Sequence, residues 1–143
     1  MCGISGMVGS PEPSVVKSMT RLQHHRGPDG TGFWNDEHIS LGHSRLAIVD
    51  LEGSPQPISS DHGCILIVNG EIYNYQELRG INESYPWKTM GDSETILALH
   101  RNATHTLEHP IAEDHCNWLK QLDGMFALSL WDPVNRQLIL ARD

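Results

Sequence analysis

Apolar, strand-like runs lie at both ends of this 143-residue chain, and helical patterns lie between them. The first run, CGISGMVG at residues 2–9, alternates small and apolar residues as strands do. Residues 125–143 predict a hairpin that turns at Asp132–Asn135, and the run CILIVNG at residues 64–70 predicts a strand covered on both faces. This distribution predicts an α+β protein in which β-sheets are covered by helices on the outside.

The middle of the chain predicts several helices and one more hairpin. We expect the first helix to have Ser14 as its N-cap and to end at Gly27. A hairpin with its turn at residues 35–37 follows. The other helical segments are short, namely residues 73–80, 93–101 and 116–124. Residues 102–115 are polar and are expected to be irregular.

Composition and charge narrow the class of protein. The chain has 10 basic and 18 acidic residues and no cluster of Lys and Arg of the kind that neutralises phosphates, so nucleic acid is not expected as a partner. No apolar run approaches the roughly 20 residues that cross a bilayer, and the N-terminus lacks a signal-peptide pattern. Three widely spaced cysteines do not form a disulfide framework. We therefore expect a cytoplasmic protein with no membrane partner.

Cys2 directly follows the initiator methionine. One interpretation is structural, because an N-terminal strand accepts Cys as a small apolar residue. The other is catalytic, because removal of Met1 would leave the thiol of Cys2 beside a free α-amine that could take the thiol proton. Both interpretations are open on these residues alone.

The stretch IVNGE places two hydrogen-bond donors side by side where an apolar strand is expected to end. They are the side-chain amide of Asn69 and the backbone N–H of Gly70. Two such donors could hold the negatively charged oxygen of a tetrahedral intermediate. Asn-Gly is also a common turn sequence, and a simple turn is the structural alternative.

Two charged residues could bind the ends of an amino acid. Arg45 lies in a segment otherwise suited to a strand, so its guanidinium needs either an internal acid such as Asp50 or a substrate carboxylate. Asp92 precedes a predicted helix, where it could favour the helix N-terminus or bind a substrate ammonium. Together with a thiol and two oxyanion donors, these groups suit an amino acid that bears a side-chain carbonyl.

Six motifs follow one another along nearly the whole chain: MCGISG, HRGPDG, GHSRLAIVD, VNGEIYNY, GDSETILAL and LDGMFALSLWD. In this order they resemble the N-terminal glutaminase domain of class II glutamine amidotransferases, and most of all that of the glutamine-hydrolysing asparagine synthetases. The resemblance implies an N-terminal-nucleophile hydrolase fold, with two antiparallel β-sheets between layers of α-helices (αββα). It also implies that residues 1–143 are one glutaminase domain, incomplete at its C-terminal end, with no synthetase domain in this chain.

Site residues follow from the same resemblance. Cys2 matches the nucleophile, and Asn69 and Gly70 match the oxyanion hole. The implied glutamine-binding residues are Arg45, Leu46, Ala47, Ile48, Val49, Asn69, Gly70, Glu71 and Asp92. No metal is expected. One stretch does contain several possible zinc ligands, namely His105, His109, His115 and Cys116, but we expect it to be a solvated loop and not a zinc site. Gly91 stands where the family usually has Ser, so we expect it to loosen its loop.

The implied function is hydrolysis of L-glutamine to glutamate and ammonia through a thioester on Cys2. The ammonia would serve ATP-dependent synthesis of asparagine from aspartate by a synthetase domain or subunit. We expect no cofactor in this domain, and ATP and Mg²⁺ only at that synthetase. The alternative is a non-catalytic module that binds glutamine or docks a synthetase.

Overall fold

The computed structural model describes residues 1–50, 53–105 and 116–143. Within these residues, no helix is long and apolar enough to cross a membrane. The elements run in the order β1 (Gly3–Val8), α1 (Pro13–Leu22), β2 (Gly30–Asn35), β3 (Ile39–Arg45), β4 (Ile58–Ser59), β5 (Ile65–Ile72), α2 (Tyr75–Ile81), α3 (Glu94–His105), a 3₁₀ helix (Asn117–Gln121), β6 (Gly124–Asp132) and β7 (Gln137–Arg142).

The strands form two antiparallel sheets that pack face to face. The first has the strand order β1-β3-β2 and the second β4-β5-β6-β7. Helix α1 covers the outer face of the first sheet. The outer face of the second sheet packs against α2, α3 and the 3₁₀ helix in one large apolar cluster. The predicted α+β architecture, with two antiparallel sheets between helical layers, is confirmed.

The layer between the sheets is built by alternate residues of β3 and β5. Ile39 and Leu41 of β3 pack there against Ile65 and Ile67 of β5. His43 is the next residue in the same row of β3, and its Nε2 lies 3.0 Å from the backbone oxygen of Val68 in β5. A side-chain hydrogen bond therefore joins the two sheets where the apolar row ends.

Helix α1 begins two residues earlier than expected. Pro13 is its first residue and Glu12 is the N-cap, so the prediction of Ser14 as N-cap is wrong. The reason is that the fixed φ of proline suits the first helical position and its missing N–H costs nothing there. The helix lies close to β3, because Gly42 has no side chain and Thr20 accepts a hydrogen bond from Ser44 Oγ at 2.9 Å through its backbone oxygen.

Helix α3 is longer than its polar end suggests. It continues to His105, so the expectation of irregular structure from Asn102 onward is wrong for the first four residues. The side-chain amide of Asn102 donates to Asn82 Oδ1, and the Thr104 hydroxyl donates to the backbone oxygen of His100 at 3.0 Å. These partners allow polar residues to continue the helix. The rest of that segment, residues 106–115, lies outside the described residues.

The buried ring of His43 makes folding sensitive to acid. Burial lowers its pKa from 6.5 to about 4, whereas the unfolded chain binds a proton near pH 6.5. Folding stability due to His43 is therefore complete above pH 6.5 and is lost as the pH falls towards 4, by about 3 kcal/mol in total. We expect urea denaturation at pH 7 and pH 4.5 to show this loss, and His43→Gln to remove most of it.

The matched control is His24→Gln, which changes an exposed histidine just after α1. The free energy of unfolding of this variant should fall between pH 7 and pH 4.5 by as much as that of the original protein. An equally large fall in the His43→Gln variant would contradict the assignment of the acid sensitivity to His43.

Candidate active site

A recess opens at the polar end of the layer between the sheets. Beyond the apolar row and His43, β3 places Arg45 on the face that looks towards the second sheet, because residues two apart on a strand share a face. By the same rule β5 places Asn69 and Glu71 beyond Ile67. The recess is lined by eight of the predicted site residues, namely Cys2, Arg45, Leu46, Ile48, Val49, Gly70, Glu71 and Asp92.

Cys2 lies at the rim where β1 begins. Its half-buried Sγ accepts the backbone N–H of Leu46 at 3.4 Å and lies 3.7 Å from the Leu46 oxygen. The backbone oxygen of Cys2 accepts from Arg26 Nε at 3.0 Å. Cys64, by contrast, is buried elsewhere, and burial raises the pKa of its thiol to about 11. The thiol in the recess is therefore that of Cys2.

The turn that follows α1 supports this rim, a role that the sequence reasoning missed. Gly27 lies against the end of β3, where a β-carbon would be 2.6 Å from the carbonyl carbon of Arg45. Asp29 accepts the backbone N–H of Ala47 at 2.8 Å through its carboxylate and donates its own N–H to the Arg45 oxygen at 2.9 Å. Ala47 thus faces this support and does not line the recess. The sequence did contain a signal for this support, because the motif RGPD places the charged residues Arg26 and Asp29 on either side of Gly-Pro.

Asp50 holds the segment after β3 in place. Its carboxylate accepts from Ser54 Oγ at 2.6 Å and from the N–H groups of Gly53 and Met90 at 3.0 Å. The hydrogen bond from Ser54 holds the pKa of Asp50 below its usual value. Arg45 does contact Asp50, but Nη2 donates to the backbone oxygen, at 2.6 Å. The positive charge of Arg45 also helps to lower the pKa of the Asp50 carboxyl, so Asp50 is an internal partner of Arg45 through both its backbone and its charge.

The edge of β5 presents the Gly70 N–H to the recess. Along this edge the N–H of Val68 donates to Gln56 Oε1 at 2.6 Å and that of Ile72 to Asp92 Oδ2 at 2.8 Å. The N–H of Gly70 points the same way, since backbone N–H groups two residues apart lie on one side of a strand. Phe126 lies opposite Gly70 in β6, but its backbone groups point away from β5. Its N–H donates to Asp143 Oδ1 at 3.0 Å, and its oxygen accepts the N–H of Asp143 at 3.1 Å. The Gly70 N–H is thus left out of the ladder with β6 and faces the recess.

Asn69 and Gly70 lie inside β5, not at its end. The strand runs on to Ile72, so the predicted strand end and the alternative of a simple turn are both wrong. No side chain fits at Gly70, where a β-carbon would overlap the backbone oxygen of Met125. Asn69 borders a neighbouring cavity of about 320 Å³ that Gly70 also lines. Its Oδ1 is buried and has no hydrogen-bond partner among the described residues.

Asp92 and its loop are fixed from several sides. The Asp92 carboxylate accepts from β5 and not from an N–H of α3, so it does not cap that helix. Glu94 is fully buried and accepts the N–H of Lys88 at 3.0 Å and that of Thr89 at 2.7 Å. Arg79 donates to the backbone oxygen of Gly91 at 2.9 Å. The loop around Gly91 is thus held by hydrogen bonds on either side of this residue, and its looseness stays a prediction.

Metal ligands are not brought together in the part of the chain that the structure describes: no group of three or more His, Cys, Asp or Glu residues there could hold a metal ion. His109 and His115, which belong to the candidate zinc cluster, lie outside the described residues.

Comparison with known proteins agrees with the motifs. A family model described as a glutamine amidotransferase domain matches residues 1–143. Asparagine synthetase [glutamine-hydrolyzing] 1 of Bacillus subtilis is 37% identical over all of this chain, and asparagine synthetase B of Escherichia coli is 35% identical. The chain spans 22% and 25% of the lengths of these two relatives.

Solved structures show the same fold. The glutamine phosphoribosylpyrophosphate amidotransferase of B. subtilis superimposes with a TM-score of 0.75 over 98% of this chain and 37% of its own, at 19% identity. The N-terminal-nucleophile amidotransferase fold expected from the motifs is confirmed. The chain belongs to the glutamine amidotransferase family, and it is a glutamine amidotransferase domain homologous to the glutamine-hydrolysing asparagine synthetases.

Close packing of Gly91 against Ser54 gives a test of how the recess wall is held. A β-carbon at Gly91 would lie 3.0 Å from Ser54 Cβ and overlap the Ser54 hydroxyl, which would have to leave Asp50. We expect Gly91→Ala to lower the free energy of unfolding by about 1–2 kcal/mol. In a Ser54→Gly background, Gly91→Ala should lower the free energy of unfolding much less, because the obstructing side chain is absent.

Urea denaturation of the two single variants and the double variant measures this coupling. Gly80→Ala is the control, since a β-carbon there meets open space. Additive losses for Gly91→Ala and Ser54→Gly would contradict the packing argument.

Proposed function

We propose that this domain hydrolyses L-glutamine to glutamate and ammonia through a thioester on Cys2. The observation that carries the proposal is the Gly70 N–H, which faces the recess that the Cys2 thiol also lines. A nucleophile and an oxyanion donor on opposite sheets of one recess suit acyl transfer. Membership of the glutamine amidotransferase family indicates which amide is attacked.

The reaction would begin with removal of Met1, whose side chain is exposed at the recess. The α-amine of Cys2 that is uncovered has a pKa of about 7.7–8.0 in model peptides, so part of it is neutral at pH 7 and can take the thiol proton. The thiolate attacks the side-chain amide carbon of glutamine, and the charge on its oxygen is stabilised by the N–H of Gly70 and the side-chain amide of Asn69.

Collapse of this intermediate breaks the carbon–nitrogen bond. The protonated α-amine gives its proton to the departing nitrogen, which leaves as ammonia, and the acyl group stays on sulfur. A water molecule then attacks the thioester carbon, the carbon–sulfur bond breaks, and glutamate is released with the thiol restored. One residue thus supplies both the nucleophile and the base.

The amino-acid end of glutamine would be held by charges of opposite sign. The Arg45 guanidinium suits the α-carboxylate, and the carboxylates of Glu71 and Asp92 suit the α-ammonium. Both carboxylates line the recess, and Asp92 is already oriented by its hydrogen bond from Ile72. Of the segment 46–49, Leu46, Ile48 and Val49 line the recess, whereas the N–H of Ala47 is taken by Asp29.

The released ammonia would serve a synthetase that makes asparagine, the product in the names of the relatives, and we propose aspartate as the molecule that accepts it. We place ATP and Mg²⁺ at that synthetase and no cofactor in residues 1–143. A cytoplasmic location fits this role.

Replacement of Cys2 tests the nucleophile. Cys2→Ala should abolish glutamine hydrolysis and leave glutamine binding nearly intact, because the amino-acid end is held by other residues. Cys2→Ser should also be inactive, since a hydroxyl is a far weaker nucleophile than a thiol with an amine base. Ammonia release and calorimetric binding of glutamine measure the two effects.

Covalent labelling supplies the control. A chloroketone analogue of glutamine should modify Cys2, and peptide mapping should find Cys64 and Cys116 unmodified, on protein whose intact mass shows that Met1 is gone. An adduct on Cys64 or Cys116 with Cys2 untouched would contradict the mechanism. Binding of glutamine with neither labelling nor hydrolysis would favour the non-catalytic module.

Arg45→Lys tests recognition of the substrate carboxylate. An ammonium cannot form the two parallel hydrogen bonds of a guanidinium, so we expect KM for glutamine to rise at least about ten-fold with a smaller change in kcat. Steady-state kinetics measures this, and Arg21→Lys on the exposed face of α1 is the control. A lowered melting temperature with KM unchanged would show that Arg45 serves the fold alone.

A further inference from the structure

The hydrogen bond between His43 and Val68 joins the two sheets near both reacting groups. In the first sheet His43 pairs with Ile4, which is two residues from Cys2. In the second sheet its partner Val68 is two residues from Gly70. Cys2 directly precedes β1 of the first sheet and Gly70 lies in β5 of the second, so their separation depends on what holds the sheets at this end.

The contact has a defined chemistry. A carbonyl oxygen only accepts hydrogen bonds, so His43 must carry a proton on Nε2 and donate it to Val68 over 3.0 Å. The ring is fully buried, and its Nδ1 has no partner among the described residues. An apolar side chain would fill this space but would leave the Val68 oxygen without its donor. A structural role in packing alone therefore does not account for a histidine here.

Both polar groups of the Val68 backbone are held by side chains. Gln56 accepts the N–H at 2.6 Å, and His43 donates to the oxygen. These two groups point to the open side of β5, the same side as the N–H of Gly70. Gln56 comes from a loop, whereas His43 is fixed inside β3. His43 thus ties the strand that carries the Gly70 N–H to the sheet that begins next to Cys2, by a hydrogen bond at the polar end of the apolar layer.

We propose that His43 is a positioning residue that sets the separation of the Cys2 thiol and the Gly70 N–H. This inference rests on the proposed function. His43 acts through Val68 and touches neither the substrate nor the thiol. Its loss should weaken stabilisation of the tetrahedral intermediate, which forms only during reaction, and should leave the contacts of Arg45, Glu71 and Asp92 with the amino-acid end in place.

Two nearly isosteric variants test the proposal. The side-chain amide of Gln reaches the position of Nε2, so His43→Gln can still donate to Val68. The amide of Asn reaches only to the position of Nδ1, so His43→Asn cannot. We expect His43→Asn to lower kcat about 10²-fold with KM for glutamine within about three-fold of the original, and His43→Gln to keep most of kcat.

Two reagents give a second readout on the same proteins. Iodoacetamide alkylates a thiol without an oxyanion hole, so Cys2 should react at similar rates in both variants. The chloroketone analogue of glutamine forms a tetrahedral adduct, so its maximal rate of labelling should fall in His43→Asn only. His100→Asn is the control for loss of a buried histidine, because His100 packs on Trp118 and lines no part of the recess.

The possible outcomes separate the two proposals. If the original protein, after removal of Met1, neither hydrolyses glutamine nor is labelled at Cys2, the proposed function is contradicted. An active original protein whose Asn and Gln variants have equal kcat would overturn the role of His43. If His43→Asn does not fold, His43→Met fills the space without a donor, and unchanged kcat in that variant would overturn the role equally.

Discussion

The two-residue period of β3 and β5 is the constraint on which the rest of this structure depends. One face of each strand is turned towards the other sheet, and the character of the residues on that face changes once along each strand. Ile39 and Leu41 meet Ile65 and Ile67 in a dry layer, and beyond them lie Arg45 on one strand and Asn69 and Glu71 on the other. A shift of either strand by one residue would turn these polar side chains to the outer face and destroy both the core and the recess.

The strands and hairpins were predictable because their signals are local. Alternation, β-branched runs and turn residues identify β1, β5 and the hairpin of β6 and β7 without reference to the rest of the chain. Apart from the start of α1, where Pro13 decides locally, the errors arose where a distant partner decides. Asn102 continues α3 because Asn82 accepts its side-chain amide, and β5 continues through Asn69 and Gly70 because β6 pairs with it to Ile72. No local pattern contains those partners.

The site divides in the same way. Single residues with distinctive chemistry, such as Cys2, Arg45 and Asp92, could be identified from the sequence, and the resemblance supplied the rest. The supporting contacts could not be identified, because they depend on loops meeting in space. Asp50 joins its own loop to Met90, and Asp29 reaches across to Ala47. Carboxylates that accept several backbone N–H groups recur around this recess and fix loops that have little regular structure.

The exposed edge of β5 has a consequence for association with other chains. Open strand edges invite further strands, because each presents a row of unpaired N–H and carbonyl groups. Here the N–H groups on either side of Gly70 are already taken by Gln56 and Asp92. An extended peptide that approached this edge would find one donor where a β-ladder requires several in succession. This part of the edge is therefore unsuited to strand addition and to edge-to-edge aggregation, because side chains of the same chain already occupy the donors on both sides of Gly70.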